Sequence, residues 1–152
     1  MKIKEFLLPE AVTSDLESSG KLDVLSELGR LLAKVSPNAN EADIVAALVE
    51  RERLATTGIG DGVAIPHAKS DKLTEIRAAL GISRTGIPFD AVDGKPVHIF
   101  VALLAPQGVA GEHLKALARI SRLVREPDFR NRLLTTQSAQ ELYDAIVEAD
   151  GK

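Results

Sequence analysis

Apolar residues recur along the chain in two alternating rhythms. Between Lys21 and Lys34, Leu22, Leu25, Leu28 and Leu32 fall three or four residues apart, which predicts a helix with one apolar stripe. The stretch SPNAN at 36–40 ends it. Asn40 can then accept from the free N–H groups of a second helix over about Glu41–Leu54, with Ile44, Ala47 and Leu48 inward. From Thr56 to His67 the pattern shortens to β-like pieces punctuated by Gly58, Gly60 and Gly62. Arg77–Ser83 predicts a strand, followed by turn signals at Thr85–Gly86 and Asp93–Gly94. Val97–Leu104, VHIFVALL, is an unbroken apolar run of strand length, as expected of a strand covered on both faces.

The last third returns to the helical rhythm. Glu112–Arg125 predicts an amphipathic helix with Leu114, Leu117, Ala118, Ser121 and Val124 inward. EPDF interrupts it, and a short helix follows to Leu134. Ser138 and Glu141 have capping-box spacing and open a last helix that buries Leu142, Ala145 and Ile146. Helices alternate with strands and no repeat, low-complexity tract or linker divides them. The sum predicts an α/β fold, a single domain over 1–152 in which helices cover a central sheet.

Composition narrows the function. A chain of 152 residues with 45% hydrophobic and 27% charged residues can bury one good core, and 3% aromatic content makes that core aliphatic. A net charge of −3 with so few aromatics argues against nucleic-acid binding. The absence of cysteine removes disulfides, thiolate zinc sites and thiol catalysis together. No apolar stretch approaches the roughly eighteen residues of a membrane span, and MKIKEFLLPEAV has no signal-peptide run. A cytoplasmic protein without membrane insertion is expected.

The candidate chemistry gathers in GDGVAIPHAK, residues 60–69. His67 follows a proline at the end of a glycine-studded loop. A neutral imidazole is a nucleophile near pH 7, because its ordinary pKa is about 6.5. The glycines let backbone come close to a bound anion, and such loops can aim several N–H groups at it. From the residues alone, Ile-Pro-His is read equally well as the end of a strand. Arg51, late on the second helix, could clamp phosphate oxygens or be a solvated surface charge. Thr57 could add a hydroxyl to the same anion or serve turn chemistry. His113, near a helix start, is a second active-site histidine or a surface residue. His98 reads as packing or strand-edge polarity. Lys115, Arg119 and Arg122 read as a solvated helix face, with a protein-docking edge as the second reading.

Together these residues resemble the enzyme IIA domain of the fructose–mannitol class of the bacterial sugar phosphotransferase system. The resemblance rests on Arg51-Glu52, Thr57-Gly58-Ile59-Gly60, Val63-Ala64-Ile65-Pro66-His67, Glu112-His113-Leu114 and Leu117-Ala118, in order and at the family's spacings. It covers nearly the whole chain, from about Leu8 to Ala149. The short single-domain length, LLPEAVTSDLESSGKLDVLSEL and GIPFDAVDGKPVHIFVALLAP resemble most the stand-alone nitrogen-regulatory enzyme IIA proteins.

The resemblance implies an α/β/α sandwich, a mixed sheet between helices, and a phosphoryl relay with a phosphohistidine intermediate. A histidine-phosphocarrier protein would pass its phosphoryl group to His67, with Nε2 the family expectation. Arg51 and His113 would hold the phosphoryl oxygens, beside Thr57 and Ala68, the latter standing where glycine is frequent. No metal or organic cofactor is implied. In the regulatory branch the phosphorylation state selects partner proteins such as sensor kinases or potassium transporters, rather than turning over a small substrate. In the sugar branch the acceptor is an enzyme IIB. A metal hydrolase built on His67, His98 and His113 is disfavoured, since no HxxxH or HxH spacing exists. A structural adaptor with an inert His67 is the remaining reading.

Overall fold

The unbroken apolar run of the C-terminal half forms the strand around which the rest is arranged. The structure, a computed structural model, describes residues 1–152. After a 3-10 turn at Ile3–Glu5 come strands β1 (Leu7–Thr13), β2 (Gly58–Gly60), β3 (Val63–Ala64), β4 (His67–Ser70), β5 (Arg77–Ile87) and β6 (Val97–Pro106). The helices are α1 (Lys21–Lys34), α2 (Glu41–Leu54), α3 (Ala110–Val124), α4 (Pro127–Leu134) and α5 (Ala139–Asp150). The sheet runs β1-β5-β6-β3-β2, with β4 also beside β6. It is mixed: β1/β5, β3/β6 and β4/β6 are parallel, while β5/β6 and β2/β3 are antiparallel.

β6 alternates between two aliphatic cores. Ile99, Val101 and Leu103 face a core closed by Ala116 and Ile120 of α3, Leu133 of α4 and Leu142 and Ile146 of α5. Phe100, Ala102 and Leu104 face the opposite core, built by Leu25, Leu28 and Leu32 of α1 with Ile44 and Leu48 of α2. The result is the α/β/α sandwich, because a strand apolar at every position from Ile99 to Ala105 can only be buried on both sides. No helix is long and apolar enough to cross a membrane.

Helix starts follow local chemistry. Asn40 accepts the Asp43 N–H at 2.8 Å, and Ser138 accepts that of Glu141 at 3.1 Å. The buried faces of α1 and α3 differ from the stripes the spacing predicts. Leu22 is 65% exposed, since at 100° per residue it lies roughly 120° round α1 from Leu28. The α1 face instead widens through Val24, Gly29 and Leu31, and Gly29 admits the Val45 side chain. On α3 the inward residues are His113, Ala116, Ile120 and Val124, whereas Leu114 and Ala118 are exposed. The helix begins at Ala110, two residues before the expected start, and its buried face is turned by about one position.

Thr85–Gly86 does not end β5. Gly86 has φ +87 and its N–H donates to Ser83 Oγ at 3.1 Å, so the turn signal becomes a bulge within the strand. Arg119 is not a freely solvated residue. Its guanidinium pairs with the buried carboxylate of Asp150, which also accepts the Ile3 N–H at 2.7 Å and ties both chain ends to α3. Asp150→Ala strips both donors of their acceptor, and a loss of about 2–3 kcal/mol in urea unfolding is expected, with partial recovery in Asp150→Asn. Equal stability of wild type and Asp150→Ala would contradict this role.

Candidate functional site

Pro66 makes the site possible. Residues 63–70 form one edge of β6 in two pieces, Val63 pairing with Ile99 and His67 with Leu103. Proline has no N–H to continue the ladder, so the chain breaks there and restarts at His67. Its carbonyl still accepts the Leu103 N–H at 2.8 Å. That bond and the parallel register commit the Ala68 N–H to β6 and turn the N–H groups of His67 and Lys69 outward.

β4 lies at this open edge between the last turn of α2 and the first turns of α3. Between them is a cavity of about 560 Å³. Arg51, Ala47 and Leu54 of α2, His67, Ala68 and Lys69 of β4, and Ala110, His113, Leu114 and Leu117 of α3 line it. Leu54 and Leu114 are largely exposed apolar residues at its mouth. The structure thus brings together His67, Arg51, His113 and Ala68 from three elements. Thr57 is elsewhere: it is buried, and its hydroxyl donates to Glu52 Oε1 at 2.5 Å.

The His67 ring is half-buried, and its Nδ1 lies 2.8 Å from the Ile65 carbonyl oxygen. A carbonyl only accepts, so Nδ1 carries the proton and the lone pair sits on Nε2. Burial pushes the His67 pKa below the usual histidine value, and the Arg51 charge acts in the same direction; the Ile65 hydrogen bond and the Glu52 carboxylate oppose them. His113 is 5% exposed, meets His67 edge-on with ring centroids 5.6 Å apart, and has no partner for Nε2. Burial, then His67 and Lys69, lower its pKa as well. Both rings are therefore neutral near pH 7.

Arg51 gives one N–H to the Ala55 carbonyl at 2.9 Å, leaving the rest of its fork open to the cavity it lines. An Arg fork, a neutral imidazole with a bare Nε2, a second imidazole and two outward N–H groups can receive a compact anion at the nucleophile. His98 takes no part. Five residues along β6 from Leu103, it is roughly 16 Å away by strand rise, with Nδ1 on the Ser83 carbonyl at 2.9 Å. That separation disposes of a three-histidine metal centre. Lys69 escaped sequence reasoning because the outward parity of its N–H depends on pairing with β6.

Comparison with known proteins bears on the fold and the family. Residues 5–149 match the family model "Phosphoenolpyruvate-dependent sugar phosphotransferase system, EIIA 2". The chain is 39% identical to a nitrogen regulatory protein of Bradyrhizobium diazoefficiens, over 96% of this chain and 95% of that one. It is 33% identical to the fructose-specific EIIABC component of Bacillus subtilis, over 99% of this chain but 24% of that longer protein. The crystal structure of nitrogen regulatory protein IIA-Ntr from Neisseria meningitidis superposes with a TM-score of 0.89 at 35% identity, covering 95% of this chain and 98% of that one. The site, the fold and these similarities lead to one conclusion: the chain belongs to the EIIA 2 family of the phosphoenolpyruvate-dependent sugar phosphotransferase system.

Proposed function

We propose that this protein is a cytoplasmic phosphocarrier that accepts a phosphoryl group on Nε2 of His67 and regulates partner proteins by its phosphorylation state. The observation that carries the reading is the Nδ1–H bond to the Ile65 carbonyl, which leaves Nε2 as the free nucleophile beside Arg51 and His113. The donor is a histidine-phosphocarrier protein charged from phosphoenolpyruvate by enzyme I. The Nε2 lone pair attacks phosphorus in line, the donor's P–N bond breaks, and its electron pair stays on the donor ring. The product ring keeps its Nδ1 proton and becomes cationic, so its bond to Ile65 strengthens as the phosphoryl group arrives. Arg51, a ring nitrogen of His113 and the outward N–H groups of His67 and Lys69 meet the phosphoryl oxygens.

The similarity to nitrogen regulatory proteins along their whole length supports a regulatory output. A dianionic group at the apolar mouth formed by Leu54 and Leu114 changes which surfaces dock there. Targets would be sensor kinases or potassium transporters. The second reading, transfer to an enzyme IIB for sugar uptake, draws on the fructose-specific relative.

The test is labelling with enzyme I, carrier protein and phosphoenolpyruvate across pH, followed by challenge with enzyme IIB proteins. One acid-labile phosphoryl group mapping to His67 is expected, with no passage to IIB. Because the His67 pKa is depressed, the rate should hold level down to about pH 6.5 and fall only below it, as protonation occupies Nε2. The same depression gives the fold stability above about pH 6.5 that is lost as pH falls toward the native value, since the unfolded chain protonates first. Label on another residue, or an acid limb centred above the ordinary histidine value, would refute the reading. Sugar phosphorylation through IIB would move the protein to the second.

A further inference from the structure

Glu52 is the one strongly buried acid near the site, at 7% exposure, and it stands one residue past Arg51 with its side chain turned to the other side of α2. Its Oε2 accepts the Thr57 N–H at 2.8 Å and its Oε1 the Thr57 hydroxyl at 2.5 Å, while Lys21 Nζ lies 3.4 Å from Oε2. Each carboxylate oxygen is thus occupied, and Thr57 is held at both its main chain and its side chain.

From Thr57 the bonding continues to the nucleophile. The Thr57 carbonyl accepts the Ile65 N–H at 3.0 Å, and the Ile65 carbonyl accepts Nδ1–H of His67 at 2.8 Å. The peptide after Ile65 leads into Pro66, so the same short segment holds the carbonyl and breaks the strand. We infer that Glu52 is a positioning residue for His67: through Thr57 and Ile65 it fixes the carbonyl that keeps the ring proton on Nδ1 and the lone pair on Nε2. The inference rests on His67 being the phosphoryl acceptor, but the ring tautomer can be read without any transfer.

The logic is that of an outer partner orienting a reactive imidazole, where loss of the partner costs about ten-fold or more. Lys21 supplies the counter-charge that makes a buried carboxylate tolerable, and its Nζ also lies 3.3 Å from Asp90 and 5.0 Å from the centre of the Phe89 ring. Removing the carboxylate frees the Thr57 end of the segment, and the Ile65 carbonyl loses its fixed direction.

The experiment compares full-length wild type, Glu52→Ala, Thr57→Val and Thr57→Ser by nitrogen-15 NMR of the His67 ring and by labelling kinetics. Wild type should show a single Nδ1–H tautomer. Glu52→Ala should show a mixture of tautomers and a rate about ten-fold lower, with the KM for the donor carrier unchanged. Thr57→Val should fall about three-fold and Thr57→Ser should match wild type. A wild-type tautomer and rate in folded Glu52→Ala would overturn the assignment. Should Glu52→Ala not fold, a wild-type tautomer and rate in Thr57→Val would overturn it equally. Failure of wild type to take label would instead count against the proposed function, while the tautomer spectra still decide the positioning role.

Discussion

His67→Ala takes up no phosphoryl group from the carrier, a loss of at least about 10³-fold against wild type under identical labelling. No other residue can substitute. His113 lines the same cavity but is buried, at 5% exposure, and His98 is anchored on Ser83 far along β6. The substitution should leave the fold intact, because the only hydrogen bond made by the His67 side chain is to the Ile65 carbonyl. Unfolding within about 1 kcal/mol of wild type is therefore expected, and it separates lost chemistry from lost structure. Labelling of His67→Ala at the wild-type level would end the account of this site.

The second large effect belongs to Arg51. Arg51→Ala should lower the transfer rate by about 10²–10³-fold, the size of losing one fixed donor to a developing anion in a partly desolvated site. Arg51→Lys should recover little, since an ammonium cannot present two parallel N–H groups. A second readout fixes the sign. The guanidinium adds to the effect of burial in depressing the His67 pKa. Without it, protonation of Nε2 sets in at higher pH, so the acid limb of the rate profile should move upward. An Arg51→Ala variant with the wild-type rate and profile would show that the guanidinium merely caps the end of α2 through Ala55.

Local chemistry made much of the fold legible. Asn40 and Ser138 mark helix starts because short acceptors satisfy N–H groups that no helix can satisfy itself. VHIFVALL announces a doubly covered strand because from Ile99 onward it holds nothing polar to face water. Turn chemistry was less decisive: Thr85–Gly86 has the residues of a turn, yet the partner strand carries β5 past it as a bulge. Facing was least legible on α3, where the sheet beneath the helix decided that His113 turns inward and Leu114 outward. Thr57 carried the right residue type for an anion, but Glu52 claimed its hydroxyl first.

By itself, the order of residues determined that this chain makes helices and strands in alternation, with an imidazole after a proline and a guanidinium one helix earlier. Those are properties of near neighbours, governed by caps, periodicity and backbone freedom. Only the tertiary structure decided that Nε2 is the free nitrogen, that Arg51 and His113 share a cavity with it, and that Arg119 serves Asp150. The last two depend on groups far apart in sequence, whose approach is set by how the helices pack on the sheet, and the first on the direction of a carbonyl two residues from the ring.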